Sequence, residues 1–277
     1  MGADEPELAL AASRGTVIKA NGYPWRVFGV LLLCAVCGVA ASFPFVFSLY
    51  ADLLAKSPVP LPVLILLGLL QNSVILALVT GFGLFLTAKV GLPGAPFIEG
   101  WLSGKSTEER FRTIIQPTLI MGVGVGATLL VLFFLVLKNE LPQLRLGKAA
   151  LIPLWKRLLV CLYGGLTEEV LMRVFLFSLL VWILGKVWRS DPGASGRHVF
   201  WAANIILAVL FGLGHLGSVI PLMPVTFRIV VGALLLNGIA SFAFTHIYWR
   251  HGLEASMLAH FITDVMIYVI GPSFIHR

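Results

Sequence analysis

Apolar residues along this chain do not alternate with polar ones; they run in blocks broken by short polar connections. A spanning helix needs ~20 predominantly apolar residues. The blocks at 27–49, 61–88, 114–137, 158–184, 199–220, 227–248 and 253–270 meet that length. The fourth qualifies even though Glu168, Glu169 and Arg173 interrupt it. Backbone polar groups in lipid must be satisfied within the segment, so such blocks fold as helices. The pattern predicts an all-α, polytopic membrane helical bundle of about 7–8 transmembrane helices, organised as a single integral membrane domain over residues 1–277.

The connections carry turn residues or charge. Ser57-Pro58-Val59-Pro60 reads as a turn between the first two blocks, and Asp191-Pro192-Gly193 as another. The mixed-charge run Lys105–Arg112 reads as a solvated or interfacial helix. Residues 138–155 form a polar connection, and Lys156-Arg157 mark the interface before the fourth block. Residues 1–21 lack the apolar core and small-residue cleavage site of a signal peptide and read as a lead into the first span. With the N-terminus in the cytoplasm, slightly more Lys and Arg fall on that side.

Composition sharpens the class. Hydrophobic residues make up 58% of the chain and charged residues 12%, about half the fraction usual in soluble domains. Mean hydropathy is +0.96. The excess of 20 Lys and Arg over 13 Asp and Glu fits basic loops beside a membrane. No basic run with interleaved aromatics points to nucleic acid. Cys34, Cys37 and Cys161 all lie in apolar blocks and read as buried thiols, with no disulfide framework.

Candidate chemistry lies inside the blocks. Ionisable groups within spans are costly and default to functional hypotheses. Here they form three consecutive groups: Glu168, Glu169 and Arg173; then His215; then His260 and Asp264. Glu169 and Arg173 stand at i and i+4, so they share a helical face and can neutralise each other. Glu168 projects about 100° away and is free to face a polar cavity. His260 and Asp264, also i and i+4, can aim at one point. Gly212 and Gly214 flank His215 closely and would admit another backbone. Gln71, Asn72, Ser73, Asn204 and Asn237 read as polar glue between helices. His246 and His251, beside Trp249 and Arg250, read as interfacial anchors, and His198 and His276 as solvent-exposed.

The ordered set Glu-Glu-x-x-x-Arg, Phe-x-x-x-His and His-x-x-x-Asp resembles the CPBP intramembrane proteases, the CAAX protease and bacteriocin-processing family that includes the Ras-converting enzyme type. The motifs are Glu168 to Arg173, Phe211 to His215, and His260 to Asp264, and the resemblance covers 158–270. Gly91-Leu92-Pro93 with Pro96 resembles the family more loosely. The resemblance implies a bundle of about eight helices around a polar cavity. It also implies hydrolysis of a peptide bond near the C-terminus of a membrane-associated or prenylated substrate. It assigns Glu168 and His215 to activating water, His260 and Asp264 to the oxyanion, and Glu169 with Arg173 to the architecture. The expected partners are a hydrophobic or lipidated peptide and membrane lipid. The expected location is a prokaryotic cytoplasmic membrane, crossed several times.

The residues alone agree in outline, since hydrolysis needs a base, an oriented water and stabilisation of the oxyanion. A carboxyl in a poorly solvated cavity suits a base that later returns its proton. Asp264 is acceptor-only when ionised, so it either fixes the tautomer of His260 or is itself protonated. No cofactor is favoured, but zinc is the rival: Glu168, His215 and His260 form a set that suits catalytic zinc. Outside enzymes, intramembrane Glu, His and Asp also build the relays of proton-coupled transporters. The absence of counterpart charges in the first three blocks disfavours transport. An inactive scaffold or immunity protein is the other alternative.

Overall fold

A computed structural model describes residues 24–137, 148–188 and 196–274. The expected lead at residues 1–21, the turn at Asp191-Pro192-Gly193, the first part of the connection 138–155, and His276 lie outside the described residues. Among the described residues the chain forms helices and turns without a strand. Seven helices are long and apolar enough to cross a membrane: α1 (Trp25–Leu49), α2 (Leu61–Val90), α3 (Glu108–Leu137), α4 (Leu154–Val187), α5 (Arg197–Ser218), α6 (Phe227–His251) and α7 (Leu253–Phe274). Short helices Ala51–Leu54 and Pro96–Leu102 occupy two of the connections.

The outer surface is the reverse of a soluble protein's. Along α2, Leu66, Leu70 and Leu78 are 60–68% exposed, a stripe that only lipid tails can cover. Trp25, Trp101, Trp155 and Trp188 are exposed near helix ends, where indole rings sit at the membrane boundary.

α4 is the central element. It packs against α1 and α2 on one side and against α5 and α7 on the other. It is α-helical at both ends, with wider π-helical turns at Tyr163–Glu168 and Val170–Phe177 between them. A second π stretch, Val265–Ile270, follows Asp264 in α7. Such wide turns are rare, and they cluster at functional sites.

Polar side chains tie the helices together through backbone carbonyls. Thr167 Oγ1 donates to Ala35 O at 2.7 Å, joining α4 to α1, and Thr87 Oγ1 donates to Val174 O at 3.2 Å, joining α2 to α4. Thr263 Oγ1 donates to Gly122 O at 3.0 Å, joining α7 to α3. A single residue, Gly252, separates α6 from α7. Its φ of +89° and ψ of 177° fall where a Cβ is not tolerated, and this reverses the chain in one step.

Several sequence expectations are corrected. The charged run 105–112 is no separate helix; α3 starts at Glu108, and Glu108 pairs with Arg112 at 2.6 Å on its exposed first turn. Acidic residues there complement the helix dipole. Of the expected polar glue, Asn204 does bridge helices, donating to Phe242 O at 3.3 Å. Asn72 and Asn237 instead donate to Gly68 O and Ala233 O of their own helices, and Gln71 is exposed. Cys161 is buried, but Cys34 is only half-buried and Cys37 is exposed.

Close packing gives a direct test. A Cβ at Gly122 would lie 2.8 Å from Ala259 O and from Ile262 Cβ, whereas one at Gly124 meets nothing within 4 Å. Gly122→Ala should therefore lose about 1–3 kcal/mol through overpacking, read as a lower unfolding temperature in detergent. Gly124→Ala, two residues along the same helix, should equal or exceed the native chain. Equal stability of the two variants would contradict the packing of α3 on α7.

Candidate active site

The three ionisable groups meet. Glu168, His215, His260 and Asp264 line one cavity of about 90 Å³, together with Tyr163, Gly164, Phe211, Asn237, Phe244 and Tyr268. That space holds several waters, and its polar walls can hydrogen-bond them. The helices supplying these groups are α4, α5, α6 and α7.

Behind the cavity wall lies a dry ionic cluster. Glu169 and Arg173 are both fully buried, with Arg173 Nη2 3.1 Å from Glu169 Oε1. The contact is ionic rather than a well-aligned hydrogen bond, because Nε and Nη2 find no hydrogen-bond acceptor among the described residues. Arg173 Nη1 donates to Ser241 Oγ at 3.4 Å, and its guanidinium lies 6.0 Å and 5.9 Å from the rings of Phe211 and Phe244. Ser256 Oγ sits between Glu169 Oε2 and the Phe244 carbonyl, so one hydroxyl ties α4, α6 and α7 together.

His260 connects this cluster to the cavity. Its Nδ1 is 2.8 Å from Glu169 Oε1. An ionised carboxylate only accepts, so Nδ1 carries the proton. The opposite nitrogen, Nε2, faces Glu168 Oε2 at 3.8 Å and Asp264 Oδ1 at 3.9 Å. Phe244 stacks on the imidazole at 4.5 Å and fixes its plane. Glu169, assigned at first to architecture alone, is thus the group that orients His260. Asp264, for which fixing the His260 tautomer was one of two expectations, stands on the other side of the ring, 3.9 Å from Nε2.

His215 is held in the same manner by a different partner. Its Nδ1 lies 2.8 Å from Phe211 O. A carbonyl cannot donate, so Nδ1 bears a proton, and in the neutral ring Nε2 is then the acceptor. α5 tightens to a 3₁₀ turn from His215 to Ser218, where the ring leaves the regular helix. Of the two glycines expected to admit a backbone here, Gly212 does: a Cβ would come within 2.9 Å of Leu234 Cα. Gly214 faces open space.

Some contributors were not singled out from sequence. Gly164 abuts the site so closely that a Cβ would collide with Asp264 Oδ2 and lie 2.9 Å from His260 Nε2. Asn237, read as helix glue, lines the cavity. Ser256 stands four residues before His260, and that spacing could have placed it on the face shared by His260 and Asp264. His246 and His251 lie away from the cavity: His246 faces Trp201 and Trp249, and the His251 carbonyl accepts from Arg110 Nη2 at 2.9 Å.

Among the described residues no three His, Cys, Asp or Glu side chains are placed to share one ion, and the trio Glu168, His215 and His260 does not form such a group.

Among the described residues, seven helices long and apolar enough to cross a membrane, five of them lining a cavity that holds two carboxylates and two imidazoles, define a polytopic membrane protein. Residues 150–266 match the family model described as type II CAAX prenyl endopeptidase Rce1-like. All seven residues of the three motifs lie within it. Neither a curated protein nor a solved structure matches the chain.

The buried pair gives a stability prediction. Arg173→Ala leaves Glu169 charged in a dry interior and should cost about 3–5 kcal/mol. Arg173→Lys, which keeps the charge, should cost less. Denaturant unfolding in detergent measures both; an Arg173→Ala protein as stable as the native chain would contradict the pairing.

Proposed function

We propose that this protein is an intramembrane endopeptidase that hydrolyses a peptide bond near the C-terminus of a membrane-associated or prenylated, CAAX-type substrate. The observation that carries this reading is the convergence of Glu168, His215, His260 and Asp264 on one wet cavity. The family match supplies the reaction class, since the matching segment is CAAX endopeptidase-like.

The geometry supports a division of labour. Glu168 and the Nε2 of neutral His215 are two acceptors for the two protons of one water. Holding both protons aims the water's lone pair at the substrate carbonyl. Glu168 takes a proton as the new C–O bond forms, then returns it to the departing amine nitrogen. His260 Nε2 faces the cavity and donates to the oxyanion if the ring enters the step already carrying both protons; Asp264, 3.9 Å from Nε2, is placed to supply the counter-charge. Asp264 then acts through His260 rather than as a donor of its own. We infer a metal-independent reaction, supported by the donor geometry described above.

The cavity lies toward the membrane end opposite the start of α1, near the ends of α5 and α7 and the start of α4. A cytosolic prenylated tail therefore requires the start of α1 to face away from the cytosol. A translocated leader or sorting peptide requires the reverse. Topology mapping with terminal reporters separates the two substrate sources.

Purified protein should cleave peptides ending in prenylated or plain hydrophobic sequences. Glu168→Ala and His215→Ala should each abolish detectable cleavage while thermal unfolding stays near native. Undiminished cleavage in both would refute the roles assigned. Zinc chelators should leave the rate unchanged; inhibition reversed by added zinc would refute the metal-independent route. Asp264→Asn and Asp264→Ala should each lose at least about tenfold, because both remove the counter-charge that favours the doubly protonated His260.

A further inference from the structure

We propose that Arg157, one helical turn before the cavity-lining Val160, binds the C-terminal carboxylate of the substrate and so sets where the chain is cut. This deepens the endopeptidase reading and rests on it.

Arg157 belongs to the cavity's face of α4. Arg157, Val160, Gly164 and Glu168 follow one another at spacings of three, four and four, and the last three line the cavity. Arg157 Nη1 donates to the backbone carbonyl of Tyr268, a cavity-lining residue of α7, at 3.3 Å. That bond anchors the guanidinium between the two helices carrying the motif residues. It uses one donor of five. Nε is buried without an acceptor, and no carboxylate pairs with Arg157 among the described residues. A buried guanidinium donor without a partner is costly and points to a ligand that supplies one.

Its neighbours favour an anion there. Lys156 donates to Ser48 Oγ at 2.8 Å and adds a second positive charge beside it. Both cations sit in the first turn of α4, which no side chain caps. A helix N-terminus already attracts anions, so cations are locally misplaced unless they face one. Bidentate pairing with a planar carboxylate is what a guanidinium fork does best.

Length agrees with the chemistry. Eleven residues separate Arg157 from Glu168, about 16 Å along a helix at ~1.5 Å per residue. An extended peptide covers ~3.3–3.6 Å per residue. With Arg157 and Glu168 side chains taking up part of the gap, a tail of about three to five residues joins the scissile bond to the guanidinium.

The test uses one fluorogenic peptide of hydrophobic sequence, made with a free C-terminus and with a C-terminal carboxamide. In the native protein kcat/KM for the acid should exceed that for the amide by about 10- to 100-fold, mostly through KM. In Arg157→Gln the ratio should fall to about one, and in Arg157→Lys it should fall only partly. Because the ratio is taken within each variant, lowered overall activity does not blur it. Equal cleavage of acid and amide by the native protein, or an intact ratio in Arg157→Gln, overturns the proposal. So does a loss in Arg157→Gln that affects both peptides alike and tracks the anionic lipid content of the vesicles, since the guanidinium would then be serving a headgroup. A binding arm keeps this separate from catalysis: Glu168→Gln protein, titrated with the same two peptides by fluorescence polarisation, should bind the acid more tightly. If that preference holds but no peptide is ever cleaved, the carboxylate site stands and the endopeptidase reading falls. Equal binding overturns the carboxylate site whatever the cleavage result.

Discussion

The carboxylate of Glu169 is the point on which the site depends. It carries charge in a fully buried position, which a protein tolerates only if that charge is matched and hydrogen-bonded. The matching groups come from its own helix and from two others: Arg173 on α4, Ser256 and His260 on α7, with Ser241 of α6 holding the arginine. The cost of burying one carboxylate thereby fixes the relative placement of three helices. The same bonds orient His260, so the requirement for charge balance also sets the direction in which Nε2 faces the cavity. Adjacent carboxylates with unlike surroundings acquire unlike roles: Glu169 is dry and committed, while Glu168 keeps a partly wet face.

The wide turns of α4 and α7 belong to the same arrangement. Tyr163–Glu168 and Val170–Phe177 bracket Glu169, and Val265–Ile270 begins immediately after Asp264. In and beside these stretches, carbonyls are shared with other groups: Val174 O accepts from Thr87, and Tyr268 O accepts from Arg157. Threonines at Thr87, Thr167 and Thr263 pin the neighbouring helices where backbone approach is closest. The outcome is a closely packed frame around a small cavity lined by carboxylates and imidazoles.

Much of this was legible in the sequence, for definable reasons. Block length fixed the spans, since each apolar run has to match the bilayer. The i, i+4 spacing of Glu169 and Arg173 foretold their contact, because helical periodicity survives the wide turns well enough for neighbours four apart to meet. The convergence of Glu168, His215, His260 and Asp264 was anticipated from the cost of leaving such groups in lipid. What escaped depends on contacts between distant segments. Nothing local to Glu169 says that it will orient a histidine 91 residues on. Ser256 and Gly164 look like ordinary small residues of a membrane helix until α7 is laid against α4. Asn237 resembles Asn204 in sequence, yet one lines the cavity and the other bridges α5 to α6. The mixed-charge start of α3 was misplaced because charge marks where a helix leaves lipid, not where it ends.

The central claim is that groups from α4, α5 and α7 act on one carbonyl. An experimental structure with a peptide phosphinate, whose tetrahedral centre mimics hydrated carbonyl, examines it most directly. The account predicts one phosphinate oxygen between Glu168 and His215 Nε2 and the other at His260 Nε2. A phosphinate bound with its centre outside that cavity, while still inhibiting cleavage competitively, would contradict it.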